Sequence, residues 1–227
     1  MTLPLMLLLA LADAHDPLRI VLVGDSTVND QGGWGPGLRA AFDGQVEVLN
    51  HALNGRSSKS FRDEGKWQPA LAARPDIVLI QFGHNDVPGK GPERETVAGG
   101  SYRDNLARYV AEATQAGATV VLVTSIVRRA FTPEGRFAPD NLVPYVEEVR
   151  RLAAEKGVRL LDLYTLTKEQ AEKAGPVGAR EIGLLDANGK QDNTHLGPLG
   201  QASIGRMAAE ELVKLIPSLR PRLKPTQ

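Results

Sequence analysis

Five short apolar runs, separated by segments of helical period, constrain this chain more than any other feature. They cover residues 20–23, 46–49, 77–82, 119–124 and 158–163. The first, Ile20-Val-Leu-Val23, contains no polar residue, so it predicts a strand covered on both faces. Strands that alternate with helices predict an α/β three-layer sandwich, a parallel sheet between two layers of helices. At 227 residues the chain is long enough for one such domain with a sizeable core. With 27 basic and 27 acidic residues it offers no charge excess for a nucleic acid or an anionic membrane surface. It has no cysteine, so thiol chemistry and disulfides are excluded. Its four histidines are scattered, which argues against a metal site, and no cofactor is expected.

The helix signals lie between the strands. Ser101 is positioned to cap a helix running to about Ala116, with Leu106, Tyr109, Val110 and Ala113 on one face and Gly117 as the stop. Asn141 is positioned to cap the next, with Val146, Val149, Leu152 and Ala153 inward and Gly157 at the end. A last helix opens near Leu199 and ends at Pro217, which sets the domain at residues 17–217 and leaves 218–227 as a tail expected to fray. At the other end, residues 3–12 are almost all apolar and Ala12-Asp13-Ala14 fits a small-residue cleavage site. We read residues 1–14 as an export signal, giving a secreted or periplasmic protein. The alternatives are an apolar helix packed on a cytoplasmic protein, or a misassigned start codon. The segment has no Lys or Arg before its apolar run and is too short to span a bilayer.

The chemistry sits where strands end. In an open parallel sheet, ligands bind at the carboxyl ends of the strands. The first strand stops at Gly24-Asp25-Ser26-Thr27, which places a hydroxyl nucleophile at that edge; the same residues also suit a turn and helix cap. Polar loops follow the second strand (Asn50 to Ser58) and the third (Gly83-His84-Asn85-Asp86), and a further one, Asp192-Asn-Thr-His195, precedes the last helix. A serine needs a base, and the base an orienting group. The Asp192-x-x-His195 spacing lets a carboxylate hold one imidazole nitrogen and leaves the other for Ser26. His51 and His84 are read as shaping their loops or touching substrate. An oxyanion needs donors. The candidates are the Ser26 N–H, if Ser26 opens a helix, the Gly55 N–H and the Asn85 side-chain amide.

These four blocks, in this order, resemble the SGNH (GDSL-like) hydrolases, whose named Ser, Gly, Asn and His correspond to Ser26, Gly55, Asn85 and His195, with Asp192 as the acid. The likeness extends over nearly the whole chain after Pro17. It is sharpest from Asn50 to Trp67, at Gln81-Phe-Gly-His-Asn-Asp86 and at Asp192 to His195, where the chain resembles rhamnogalacturonan acetylesterases, enzymes that deacetylate pectin backbones. Val28 stands where a Gly-x-Ser-x-Gly elbow would need glycine, so the α/β-hydrolase pattern is not met. The resemblance implies a flavodoxin-like five-stranded sheet, a Ser-His-Asp triad, an acyl-enzyme and an acetylated polysaccharide or oligosaccharide as substrate. It also points to Arg56, His84, Trp67 and the loop 87–100 as sugar contacts, with Trp67 alternatively a core residue. Competing readings are an esterase for xylan, small esters or lysophospholipid, and a carbohydrate-binding protein without turnover.

Overall fold

A computed structural model describes residues 17–185 and 188–226. The expected export segment lies outside the described residues. Five parallel strands form the sheet: β1 (Leu18–Gly24), β2 (Val46–Asn50), β3 (Ile77–Gln81), β4 (Thr119–Val123) and β5 (Arg159–Leu161). Their spatial order is β2-β1-β3-β4-β5. From β1 the chain goes outward to β2, then returns to the other side of β1 to make β3. Loops leaving β1 and β3 therefore diverge, and a crevice opens between them at the carboxyl edge.

Side chains alternate across the sheet and meet helices on both sides. Ile20, Leu22, Ile77, Leu79, Val121 and Val123 pack against α1 (Gly35–Ala41) and α7 (Pro198–Leu215) through Leu38, Ile204, Ala208 and Leu212. Val21, Val23, Val78, Ile80 and Leu122 face the opposite layer. That layer holds α3 (Trp67–Ala72), α4 (Arg103–Gln115) and α5 (Val143–Lys156), with Trp67, Leu106, Tyr109, Val146 and Leu152 inward. A short α2 (Ser60–Asp63) precedes α3, and α6 (Leu163–Glu181) is broken at Gly175-Pro176. A hairpin of β6 (Gly183–Leu185) and β7 (Gln191–Leu196) lies apart from the main sheet; no apolar strand pattern marks it.

Three expectations are corrected. Ser101 does not cap α4: its hydroxyl accepts the Val97 N–H at 3.0 Å inside a wide turn, Ala98–Tyr102, and α4 starts after it. Nor does Asn141 cap α5. Its side chain accepts a hydrogen bond from Arg128, while Asp140 takes the Leu142 N–H at 3.0 Å. The tail does not fray as far as Lys224. Pro217–Arg222 forms a 3₁₀ turn that buries Leu219 completely, and the Lys224 N–H donates to Ala41 O at 2.9 Å. Proline ends the α-helix, but a buried leucine and main-chain pairing hold the segment that follows.

The α1 and α7 helices meet glycine to glycine. A Cβ on Gly205 would lie 2.4 Å from Gly37 Cα, and one on Gly37 would lie 2.0 Å from Gln201 O. In an isolated helix, Gly→Ala stabilises by about 1 kcal/mol. Here Gly205→Ala should do the opposite, costing about 1–3 kcal/mol by overpacking. Urea unfolding checks the sign.

Candidate active site

The turn after β1 is held by a buried chain of hydrogen bonds. The Asp25 carboxylate accepts the Thr27 N–H at 2.8 Å and its hydroxyl at 2.7 Å. Thr27 Oγ1 accepts from Gln81 Nε2 at 2.6 Å, and Gln81 Oε1 accepts from Trp34 Nε1 at 2.9 Å. Asp25 is fully buried, and that burial pushes its carboxyl up despite the Thr27 donors. Ser26 does not open a helix: α1 begins only at Gly35. The intervening turn is closed instead by Asn29, whose side-chain oxygen accepts the N–H groups of Gln31 and Gly32 at 3.0 and 3.1 Å.

The loop after β2 is drawn to this turn by main-chain bonds, with the Leu53 N–H on Gly24 O at 3.0 Å. Gly55 follows in a left-handed conformation, φ +75°, which a glycine adopts without strain. Neither the Ser26 N–H nor the Gly55 N–H bonds to another described residue. Asn85, beyond β3, donates one amide hydrogen to Arg56 O at 3.1 Å, which leaves the second free. Asp86 ties these loops together. Its carboxylate accepts the Ser58 N–H at 3.1 Å, the Ser58 hydroxyl, and the Thr96 hydroxyl at 3.0 Å. Burial dominates over those donors and pushes Asp86 up to about 7.

The third contribution comes from β7. In a regular strand, residues three apart point to opposite faces. The pairing between β6 and β7 shifts register between Gly183 and Leu185, so this stretch is not a regular strand. Asp192 Oδ1 accepts the N–H groups of Thr194 and His195 at 2.7 and 2.9 Å, folding the segment into a tight turn. Its other oxygen lies 2.6 Å from His195 Nδ1, and His195 Nε2 lies 2.8 Å from Ser26 Oγ. Partial burial raises the Asp192 pKa, but the His195 and Thr194 donors outweigh it and hold the carboxyl below its usual value. Asp192 therefore stays ionised beside the ring.

Ser26, Gly55, Asn85 and His195 line one open pocket of about 400 Å³, together with Gln31, Gly32, Asn54 and Leu184. Five of the residues expected from the sequence thus converge, Asp192 through its bond to His195. Three do not line this pocket. Trp67 is core: its indole stands edge-on to Tyr109 and donates to Glu112 at 2.6 Å. His84 is buried behind the Ser26 turn, Nδ1 3.8 Å from Asp25 Oδ2, and burial holds its imidazole neutral by pushing its pKa well down. Arg56 lines a neighbouring pocket and pairs with Glu64 at 2.9 Å. No residue of the loop 87–100 lines the Ser26 pocket. Asp162, the acid nearest β5, caps α6 and binds Arg150, so it is spent structurally.

Two residues escaped the sequence reading. Arg129 is buried, and its guanidinium donates to the carbonyls of His195 at 2.7 Å, Asp192 at 3.2 Å and Thr194 at 3.4 Å. Burial pushes it down to about 10, so it is still charged at neutral pH. Gln201 on α7 donates to Gln31 O at 3.0 Å and Leu196 O at 3.1 Å, joining the segments that carry Ser26 and His195. Nothing in the spacing of either residue signals these roles.

Residues 22–202 match the GDSL-like lipase/acylhydrolase family. The chain is 33% identical over 217 residues to a rhamnogalacturonan acetylesterase of Bacillus subtilis, RhgT, covering 88% of this chain and 91% of that one. It is 25% identical to an acetylxylan esterase of Xylanibacter ruminicola, over 71% of this chain and 39% of that one. A crystal structure of the B. subtilis protein YxiM superposes with a TM-score of 0.73 at 25% identity, over 87% of this chain and 56% of that one. This protein belongs to the GDSL-like lipase/acylhydrolase family. It is a carboxylic ester hydrolase of α/β fold.

Arg129 generates the prediction here. Arg129→Lys keeps the charge but has no planar fork to span three carbonyls. It should remain folded and lose kcat on an aryl acetate at least tenfold with KM little changed, as expected for a residue that only aligns His195. Arg129→Ala should in addition cost about 2–3 kcal/mol, the scale of charged hydrogen bonds. Steady-state kinetics and denaturant unfolding separate the two effects.

Proposed function

We propose that this protein is a serine acetylesterase that removes O-acetyl groups from plant cell-wall polysaccharide of the rhamnogalacturonan type. The unbroken bond chain Asp192–His195–Ser26 carries the mechanism. The substrate rests on the 33% identity to a rhamnogalacturonan acetylesterase along most of both chains.

The geometry supports a two-step reaction. His195 Nε2 takes the Ser26 proton as Oγ attacks the acetyl carbonyl carbon. The carbonyl oxygen becomes an oxyanion facing the Ser26 and Gly55 N–H groups and the free amide hydrogen of Asn85. Ionised Asp192 stabilises the imidazolium and fixes its orientation. The tetrahedral intermediate collapses, the C–O bond to the sugar breaks, and the sugar oxygen leaves with the proton from Nε2. Water then adds to the acetyl-serine with His195 as base, and acetate is released with Ser26 restored. The open pocket, with Leu184 as its large apolar side chain, suits a short acyl group on a polar scaffold better than a long lipid tail.

Acetate release from acetylated pectin, acetylated xylan and aryl acetates tests the assignment. Ser26→Ala should lower turnover by several powers of ten, and Asp192→Asn should cost far more than Asp162→Asn at equal folded fraction. Asn85→Ala should lower kcat by about 10²–10³ and leave KM within a few-fold, the signature of a donor used in the transition state. Near-normal turnover in Ser26→Ala would reject the mechanism.

A polymeric substrate outside the cell fits export through residues 1–14. We therefore propose that the mature chain from its native host begins at His15. Mass spectrometry finding the intact amino terminus on active protein in the cytoplasm would reject this.

A further inference from the structure

Three buried side-chain atoms behind the Ser26 turn have no hydrogen-bond partner among the described residues: Asp25 Oδ2, His84 Nδ1 and His84 Nε2. The two side chains are 0% and 4% exposed, with Nδ1 3.8 Å from Oδ2. A hydrogen bond needs about 2.7–3.2 Å, so a shift of roughly 1 Å closes the gap. The other groups of the pair limit what else these atoms can do. Asp25 Oδ1 is taken up by the Thr27 N–H and hydroxyl, at 2.8 and 2.7 Å. His84 is neutral, because burial pushes its pKa well down and Arg128, His195, Lys90 and Arg129 push the same way. A neutral ring has one N–H to place, and the unpaired carboxylate oxygen is in front of Nδ1.

Position gives this pair its consequence. Asp25 directly precedes Ser26, and His84 directly precedes Asn85. The strands that carry the two turns are neighbours, with Gly24 opposite Gln81. Yet the bonds that hold the Asn85 turn lead elsewhere. Asn85 donates to Arg56 O at 3.1 Å, and the Asp86 carboxylate holds Ser58 and Thr96. A bond between Asp25 and His84 joins the Asn85 turn to the Ser26 turn without a detour through the loop after β2.

We propose that His84 is a positioning residue: its Nδ1–H donates to Asp25 Oδ2 and fixes the Asn85 amide against the Ser26 turn. The inference rests on the reading of Asn85 as an oxyanion donor and adds a residue that acts through it. His84 touches no reacting atom. It removes slack between two donors that must already be aimed when charge develops on the carbonyl oxygen.

Nitrogen-15 NMR of the ring, assigned by the signal lost in His84→Asn, should show the Nδ1–H tautomer in wild type. In Asp25→Asn the amide oxygen is kept by Thr27, the NH₂ group turns to Nδ1, and the ring proton should move to Nε2. Kinetics on an aryl acetate, at equal folded fraction, read the role. His84→Phe keeps a ring and loses the donor, so kcat should fall about tenfold or more with KM little changed. His84→Asn, whose amide nitrogen stands close to where Nδ1 stood, should recover most of that loss. In an Asn85→Ala background His84→Phe should cost less than about threefold, because its effect passes through Asn85. Should His84→Phe not fold, His84→Gln takes its place, since its amide lies beyond the Nδ1 position. An Nε2–H tautomer in wild type overturns the pairing, and so does a loss just as large in the Asn85→Ala background; both leave Asn85 as a donor. Near-normal kcat in Asn85→Ala overturns the donor reading and the role of His84 with it.

Discussion

The buried bond chain from Trp34 through Gln81 and Thr27 to Asp25 supports everything at the carboxyl edge of the sheet. It runs from the start of α1, across the end of β3, to the turn that carries Ser26. Each bonded polar atom on it would be costly to bury alone, and each is satisfied by the next; Asp25 Oδ2 alone on this chain has no hydrogen-bond partner among the described residues. The Ser26 turn is therefore fixed from below by the sheet. It does not rely on a helix beginning at Ser26.

The remaining parts of the site are fastened to that turn from two sides. Asp86 and Ser58 pin the loops after β2 and β3 together, which sets Gly55 beside Asn85. Arg129 and Gln201 hold the β7 segment by its main-chain carbonyls, so His195 meets Ser26 at hydrogen-bond distance. Catalytic groups on loops gain their precision from such supporting contacts. Asp25 and His84 are buried together behind the Ser26 turn, 3.8 Å apart, and His84, although beside Asn85 in sequence, does not line the pocket.

The Ser26 pocket and its neighbour share a wall of amide side chains. Asn29, Asn54 and Gln31 are joined through it by side-chain hydrogen bonds, which fix the loop after β2 against the turn after β1.

The sequence by itself determined the sheet and the chemical inventory. An apolar run such as Ile20–Val23 buries well only with cover on both faces, so five runs with helices between them leave little choice of architecture. Ser26, Gly55, Asn85, Asp192 and His195 each suit a turn or a cap, and they were legible only together, as polar blocks in loops at one sheet edge. Trp67 was ambiguous, since a large aromatic serves a core or a sugar platform equally; packing against Tyr109 decided for the core. The tail after Pro217, the false caps at Ser101 and Asn141, and the β6–β7 hairpin were not legible, because each depends on partners distant in sequence or on an irregular strand register. The same holds for Arg129: it is buried on three carbonyls of a distant segment, and only the folded chain decides which charges find partners.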